Sequence, residues 1–167
     1  MRTMWLEADF CAIQDGPGGL EPTIDNFTSQ TATPDFEPPK EFCDFLINVG
    51  FGEDVASDVR EFWTKAIKAN YQGDEGRRRI RMASINLSQR DGLHGRLKDV
   101  KCPILWLHGT DDAVYSVANA KEEIEMFTNA ESKELRVVDG GKHFLSFSHP
   151  KDVDGAVKEF VGKYGGM

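Results

Sequence analysis

The middle of the chain carries apolar residues at the spacing of α-helices. From Pro39 to about Gly92 the pattern predicts three helical segments, separated at Gly50 to Gly52 and at Gly73. The second segment has an apolar stripe at intervals of three and four residues, formed by Val55, Val59, Phe62, Trp63, Ala66 and Ile67. We expect another part of the protein to cover this stripe.

The third helical segment opens with acidic residues and has a narrower apolar face. Asp74 and Glu75 stand where negative charge complements the positive end of a helix dipole. The apolar face consists of Ile80, Ala83, Ser84 and Leu87. The neighbouring arginines predict a solvated helix face in preference to an anion site, and they are Arg77, Arg78, Arg79 and Arg81.

After Gly92 the pattern alternates between strand and helix. Pro103 to Leu107 is a short apolar run, as expected of a central parallel strand buried on both faces, and Leu135 to Val138 predicts a second strand. Helical spacing follows each strand, first at Ala120, Ile124 and Phe127, then at Val153, Ala156, Val157, Phe160, Val161 and Tyr164. This order indicates an α/β fold built on a parallel sheet.

These patterns divide the chain into three parts. Residues 1–38 are predicted to form an irregular segment and linker, 39–95 a helical region, and 96–167 the α/β portion. The glycines of Asp15 to Gly19 indicate a turn and not a phosphate-binding loop, because no Gly-Lys-Ser/Thr follows them. Two parallel strands make an incomplete sheet, so further strands from preceding polypeptide or from another copy are expected, unless the fold is only marginal.

Composition narrows the classes of partner. A net charge of −8 and a pI near 5.0 argue against nucleic acid and anionic membrane surfaces as partners. No signal peptide and no membrane span are visible in the sequence. The three cysteines, Cys11, Cys43 and Cys102, are widely spaced and predict neither a disulfide framework nor a metal site. A cytoplasmic protein without a metal or organic cofactor is expected.

Candidate chemistry follows the two predicted strands. Gly109 to Val117 comes after the first and Asp139 to Leu145 after the second, and the carboxyl ends of parallel strands are where ligands gather. A carboxylate and an imidazole at the same sheet edge can pair, the carboxylate holding the ring in one tautomer and stabilising the imidazolium. The histidines outside these loops and at the strand end, His94, His108 and His149, are interpreted as turn, capping or packing residues.

The run from Cys102 to Val114, the turn Gly140-Gly141-Lys142-His143-Phe144 and the closing amphipathic helix resemble the C-terminal end of the α/β-hydrolase superfamily. The resemblance implies a partial α/β-hydrolase fold in which residues 39–95 form a cap-like region, and it implies that Asp112 is the acid and His143 the base of a catalytic triad. Asp111 is the reserve candidate for the acid. Two stretches, at Gly73 to Arg79 and Gly92 to Leu97, are similar to uncharacterised fungal members of the family.

The sequence departs from the family at the nucleophile. None of its eight serines lies in Gly-x-Ser-x-Gly, and no cysteine or aspartate takes that position. We therefore expect a hydrolase of a small-molecule ester, lactone or related bond whose nucleophile lies outside this sequence, an aspartate there favouring dehalogenase or epoxide-hydrolase chemistry. The alternative is a catalytically inactive, truncated fragment that binds ligands or associates with itself through an exposed sheet edge.

Overall fold

The computed structural model describes residues 21–89 and 93–165, which form a mixed α/β structure that is mostly helical, with a small parallel sheet of two strands. The chain divides into two compact units, one helical and containing 21–89, the other α/β and containing 93–165. The predicted turn at Asp15 to Gly19, the residues Cys11 and Gly92, and the chain terminus lie outside the described residues.

The described part of the helical unit contains four helices: α1 (Glu21–Asn26), α2 (Lys40–Phe51), α3 (Ser57–Tyr71) and α4 (Gly73–Gln89). The three segments predicted from periodicity correspond to α2, α3 and α4. They are separated near Gly52 and at Gly73, as predicted. Gly52 and Gly73 have φ of 95° and 68°, a backbone conformation that side chains other than glycine rarely adopt. Gly52 therefore follows the end of α2, and Gly73 begins α4, because both positions require a positive φ.

The prediction of an irregular segment before residue 39 is partly wrong. Residues 21–26 form helix α1, and Phe27 directly after it is buried, with its ring edge-on to Phe36 and Phe42. Apolar burial holds this segment against the helical unit, although six residues of helix are too few to show a periodic pattern. Asp74 accepts hydrogen bonds from the N–H and hydroxyl of Thr33, which ties the same segment to the start of α4.

The core of the helical unit lies along α2. Cys43 and Ile47 are fully buried there, and Ile80 packs into the core from α4. Burial raises the pKa of the Cys43 thiol, because a thiolate would lose its solvation inside the protein. The core of this unit is thus small and contains one titratable group in its neutral form.

Helix α3 does not bury its apolar stripe as expected. None of its residues is fully buried, and the Phe62 side chain is 63% exposed, while Trp63 packs against Phe51 and Phe62. The stripe stays exposed because the other described helices of this unit, α1, α2 and α4, offer too little surface to cover it. On α4 the predicted solvated face is right only in part: Arg78 and Arg79 are exposed and contact Glu75, whereas the Arg77 side chain is only 13% exposed and lies beside Asp74.

The α/β unit follows the predicted order of strand, helix, strand and helix. A short 3₁₀ helix (His94–Asp99) precedes β1 (Ile104–Gly109), α5 (Val117–Glu125), β2 (Lys133–Val138), α6 (Leu145–Ser148) and α7 (Pro150–Tyr164). The strands are parallel, in a register that runs from Ile104 opposite Lys133 to Gly109 opposite Val138. The 3₁₀ helix and the short helix α6 were not expected from the sequence.

Burial in the sheet is weaker than the sequence predicts. Ile104 to Leu107 are only half-buried, so the expectation of a fully buried central strand is wrong for the part of the chain that the structure describes. The reason is that β1 has one neighbouring strand, β2, among those residues. On α7, Ala156 is buried but Val157 and Val161 remain exposed. Among the described helices, none combines the length and apolar character needed to cross a membrane.

Candidate active site

The loops that leave β1 and β2 touch each other at two glycines. The N–H of Thr110 donates to Val138, and the N–H of Asp111 donates to the carbonyl of Gly141 over 2.9 Å. A Cβ at Gly109 would lie 2.1 Å from the carbonyl oxygen of Gly141, far inside contact distance. The two loops approach this closely only because neither residue has a side chain.

This approach brings Asp112 and His143 into direct contact. Nδ1 of His143 lies 3.0 Å from Oδ2 and 3.1 Å from Oδ1 of Asp112. The Asp112 side chain is 9% exposed and the His143 side chain 31% exposed. The structure thus places the two residues singled out in the sequence within hydrogen-bond distance, at the carboxyl ends of adjacent parallel strands.

The carboxylate of Asp112 is held by its own loop. Its Oδ1 accepts hydrogen bonds from the N–H of Val114 at 2.7 Å and of Tyr115 at 3.1 Å. Burial alone would raise its pKa, but these bonds and the one from His143 together outweigh it, so the pKa of Asp112 lies below its ordinary value of 3.8. The side chain is therefore an ionised acceptor at neutral pH.

An ionised carboxylate fixes the tautomer of the ring beside it. Because Asp112 can only accept, Nδ1 of His143 must carry a hydrogen, which leaves Nε2 of the neutral ring as a proton acceptor. Among the described residues, Nε2 of His143 has no hydrogen-bond partner. The rings of Tyr115 and Phe144 lie beside the imidazole, with centroids 6.4 and 5.6 Å from its own.

The reserve candidate Asp111 has a different partner. Its carboxylate receives a hydrogen bond from Lys142 Nζ at 3.1 Å, which lowers the pKa of Asp111, and its side chain is half exposed. Neighbouring residues in the same loop therefore have separate roles, and the carboxylate paired with His143 is that of Asp112.

The other histidines occupy structural positions. His108 is buried at the end of β1 and contacts the Tyr115 carbonyl, and His149 lies between α6 and α7 with Nδ1 3.1 Å from the Ser148 hydroxyl. His94 forms a pair with Glu123 that the sequence did not predict, because the residues are 29 apart and no motif links them. Within the described ranges, no three acidic, histidine or cysteine side chains converge in a way that could hold a metal ion.

Among the described residues, no serine hydroxyl contacts the pair. All eight serines lie in the described part of the chain, and none hydrogen-bonds to His143. Ser116 caps α5, Ser132 bonds to Tyr164 and Ser148 accepts from Lys142, so these three hydroxyl groups already have structural partners. The geometry is that of a carboxylate that holds a neighbouring imidazole through Nδ1.

Comparison of the chain with models of protein families finds no match, and comparison with curated proteins finds none either.

Proposed function

We propose that this chain contributes the acid and the base of an α/β-hydrolase active site, which hydrolyses an ester, lactone or related bond in a small molecule. The observation that carries the proposal is the contact between Asp112 and Nδ1 of His143 at the carboxyl ends of two parallel strands. The nucleophile is supplied by polypeptide outside residues 1–167. This assignment agrees with the sequence resemblance and with the absence of a serine beside His143 among the described residues.

The chemistry proposed for the pair is general base and then general acid catalysis. Nε2 of His143 removes the proton from the hydroxyl of the nucleophile as the oxygen of that hydroxyl bonds to the substrate carbonyl carbon. The same proton then passes to the leaving oxygen as its bond to carbon breaks. In the second half, Nε2 takes a proton from water as the water oxygen bonds to the acyl carbon. It then returns that proton to the nucleophile oxygen as the bond from that oxygen to carbon breaks, which releases the acid and restores the free nucleophile and the neutral ring.

Asp112 acts on the ring and not on the substrate. Its negative charge stabilises the imidazolium that exists while His143 holds the transferred proton, and its acceptor oxygens keep Nδ1 protonated. The backbone bonds from Val114 and Tyr115 orient the carboxylate before the reaction begins. Pre-organised charge of this kind is among the largest contributions to enzymatic rate.

The helical unit has a place in the same proposal as a cap-like region. A catalytically inactive binding module is the competing function, and the serines that are already engaged in structural bonds favour it.

The test begins with the transcript. We expect the coding sequence upstream of Met1 to continue in frame into apolar strands and a Gly-x-Ser-x-Gly elbow, and the longer polypeptide to hydrolyse p-nitrophenyl esters and to be labelled at one serine by a fluorophosphonate. His143→Ala should abolish both signals. Asp112→Asn should lower kcat by on the order of 10⁴-fold, because the amide N–H₂ group would donate to Nδ1 and hold the ring in the Nε2–H tautomer, which cannot take the proton of the nucleophile.

The matched control is His94→Gln, which alters a second histidine–carboxylate pair in the same unit without touching Asp112. Its activity should equal that of the wild type. A transcript that starts at Met1, or a longer polypeptide that keeps full activity after His143→Ala, would overturn the proposal in favour of the inactive binding module.

A further inference from the structure

We propose that His108 is a positioning residue that holds the Asp112 carboxylate against His143. The proposal rests on the function proposed above, since it concerns the same pair. His108 lies on β1 and not on the loop, its side chain is 5% exposed, and its Nε2 lies 3.0 Å from the carbonyl oxygen of Tyr115. From the sequence alone, His108 was predicted to have only a turn or packing role.

The direction of this bond fixes the state of the ring. A carbonyl oxygen can only accept, so Nε2 of His108 carries a hydrogen and donates it to Tyr115. The donor is anchored because His108 pairs with Val137 in the parallel ladder. The bond therefore ties the far end of the loop after β1 back to the sheet.

Tyr115 is also the residue to which Asp112 is tied. Its N–H donates to Oδ1 of Asp112, and its C=O accepts from His108, so its backbone is held from both sides. The contacts run from His108 to Tyr115, from Tyr115 to Asp112 and from Asp112 to His143. If the first contact is lost, one of the restraints on the Tyr115 backbone is lost, and the N–H that orients the carboxylate is held less firmly.

A purely structural role makes a different prediction. If His108 only satisfied a buried carbonyl, its removal would lower the free energy of unfolding but leave the pair unchanged in the molecules that remain folded. A positioning role requires a change at His143 in the folded state. The two are separated by a measurement on the ring itself.

The experiment uses ¹⁵N imidazole NMR on the 167-residue chain, at a pH where the histidines are neutral, to measure how much of His143 is the Nδ1–H tautomer. The wild type should be held in that form, with Asp112→Asn as the reference for a broken pair. His108→Leu should shift the population of His143 toward that reference. His108→Gln, whose amide N–H can reach the same carbonyl, should restore most of the wild-type population.

The structural control is Ser132→Ala, which removes the 2.7 Å bond to Tyr164, a contact unconnected to the chain of contacts from His108 to His143. It should lower the urea midpoint without changing the His143 tautomer. If His108→Leu fails to fold, His108→Asn takes its place in the same measurement, because its shorter side chain keeps a polar group but does not reach the Tyr115 carbonyl.

An unchanged His143 tautomer in folded His108→Leu, or an Nδ1–H tautomer of His108 in the wild type, would overturn the positioning role. The measurement needs no substrate and no nucleophile. It can therefore succeed where the hydrolase assay on the longer polypeptide fails, and the two proposals can be rejected independently.

Discussion

At the scale of single residues, the environment of Asp112 contains two opposing effects. Burial disfavours the charged carboxylate, whereas three donors stabilise it, and the donors prevail. Asp111, one position earlier, is half exposed and paired with Lys142. Solvent and a flexible lysine make that pair weak, so the two aspartates differ in what their loss would cost.

The lowered pKa of Asp112 makes its contribution to stability depend on pH. A carboxyl whose pKa is lower in the folded state stabilises the fold above its ordinary value of 3.8, and this contribution is lost as the pH falls through the folded value. We expect Asp112→Asn to lower the free energy of unfolding at pH 7 by about 2 kcal/mol, the size of a hydrogen bond to a charged group.

Urea unfolding of wild type and variant between pH 7 and pH 3 measures this. The difference should stay constant down to about pH 5 and shrink below pH 4. Asp111→Asn is the control and should have a small effect throughout. A difference for Asp112→Asn that grows on acidification would contradict the sign of the shift.

Which residues of the site can be foreseen depends on how their partners are reached. Asp112 and His143 follow apolar strands at recognisable spacings, so the sequence pointed to both. The sequence predicts His108 only as a turn or packing residue after the strand, and its contact is with a carbonyl seven positions later. A hydrogen bond to a backbone carbonyl leaves no mark on the side-chain pattern, which is why the sequence could not reveal it.

At the scale of secondary structure elements, the site depends on the contact between the loops after β1 and β2. Gly109→Ala would put a Cβ 2.1 Å from the carbonyl oxygen and 2.3 Å from the carbonyl carbon of Gly141. Backbone cannot move aside as a side chain can, so we expect a loss of about 3 kcal/mol and separation of Asp112 from His143. Thermal unfolding and the His143 tautomer report the two effects.

Gly155→Ala is the matched control for this substitution. It lies inside α7, where an added Cβ meets nothing within 4 Å. Replacing glycine by alanine in a helix should stabilise the protein by about 0.5–1 kcal/mol. A Gly109→Ala variant as stable as the wild type would show that the two loops do not need this close approach.

The elements themselves were predictable where periodicity or a continuous apolar run was long enough. The helices α2, α3, α4, α5 and α7 and both strands follow their patterns, whereas α1 and α6, of six and four residues, are too short to show one. Burial was predicted less well than element type. The exposure of Phe62 on α3 and of Val161 on α7 depends on how much surface the neighbours supply, and periodicity does not contain that information.

At the scale of the whole molecule, the second edge of β1 has no strand beside it among the described residues. Ile104 and Thr110 donate to the β2 side, so in the alternating ladder the N–H groups of Leu105 and Leu107 point to that edge. The edge strand β2 carries charged residues at Lys133, Glu134 and Arg136, whereas β1 carries none from Ile104 to Leu107. Uncharged open edges promote association with other chains.

We therefore predict that the chain self-associates at high concentration, which sedimentation velocity over a concentration series will detect. Leu105→Pro removes an N–H from the open edge and should shift the protein toward monomer. Ile104→Pro removes a bond within the sheet instead, so it should lower stability without preventing association. A wild-type chain that stays monomeric at all concentrations would mean that this edge is closed.

The buried thiol of Cys43 gives the helical unit a property that the α/β unit lacks. A reagent that attacks thiolates must wait until the unit opens, because the side chain is enclosed and its pKa is raised, whereas Cys102 lies at the surface of the other unit. The rate at which Cys43 is modified therefore measures how often α2 opens from its neighbours. Because Cys102 reacts without any opening, the ratio of the two rates measures how rarely the helical unit opens around Cys43.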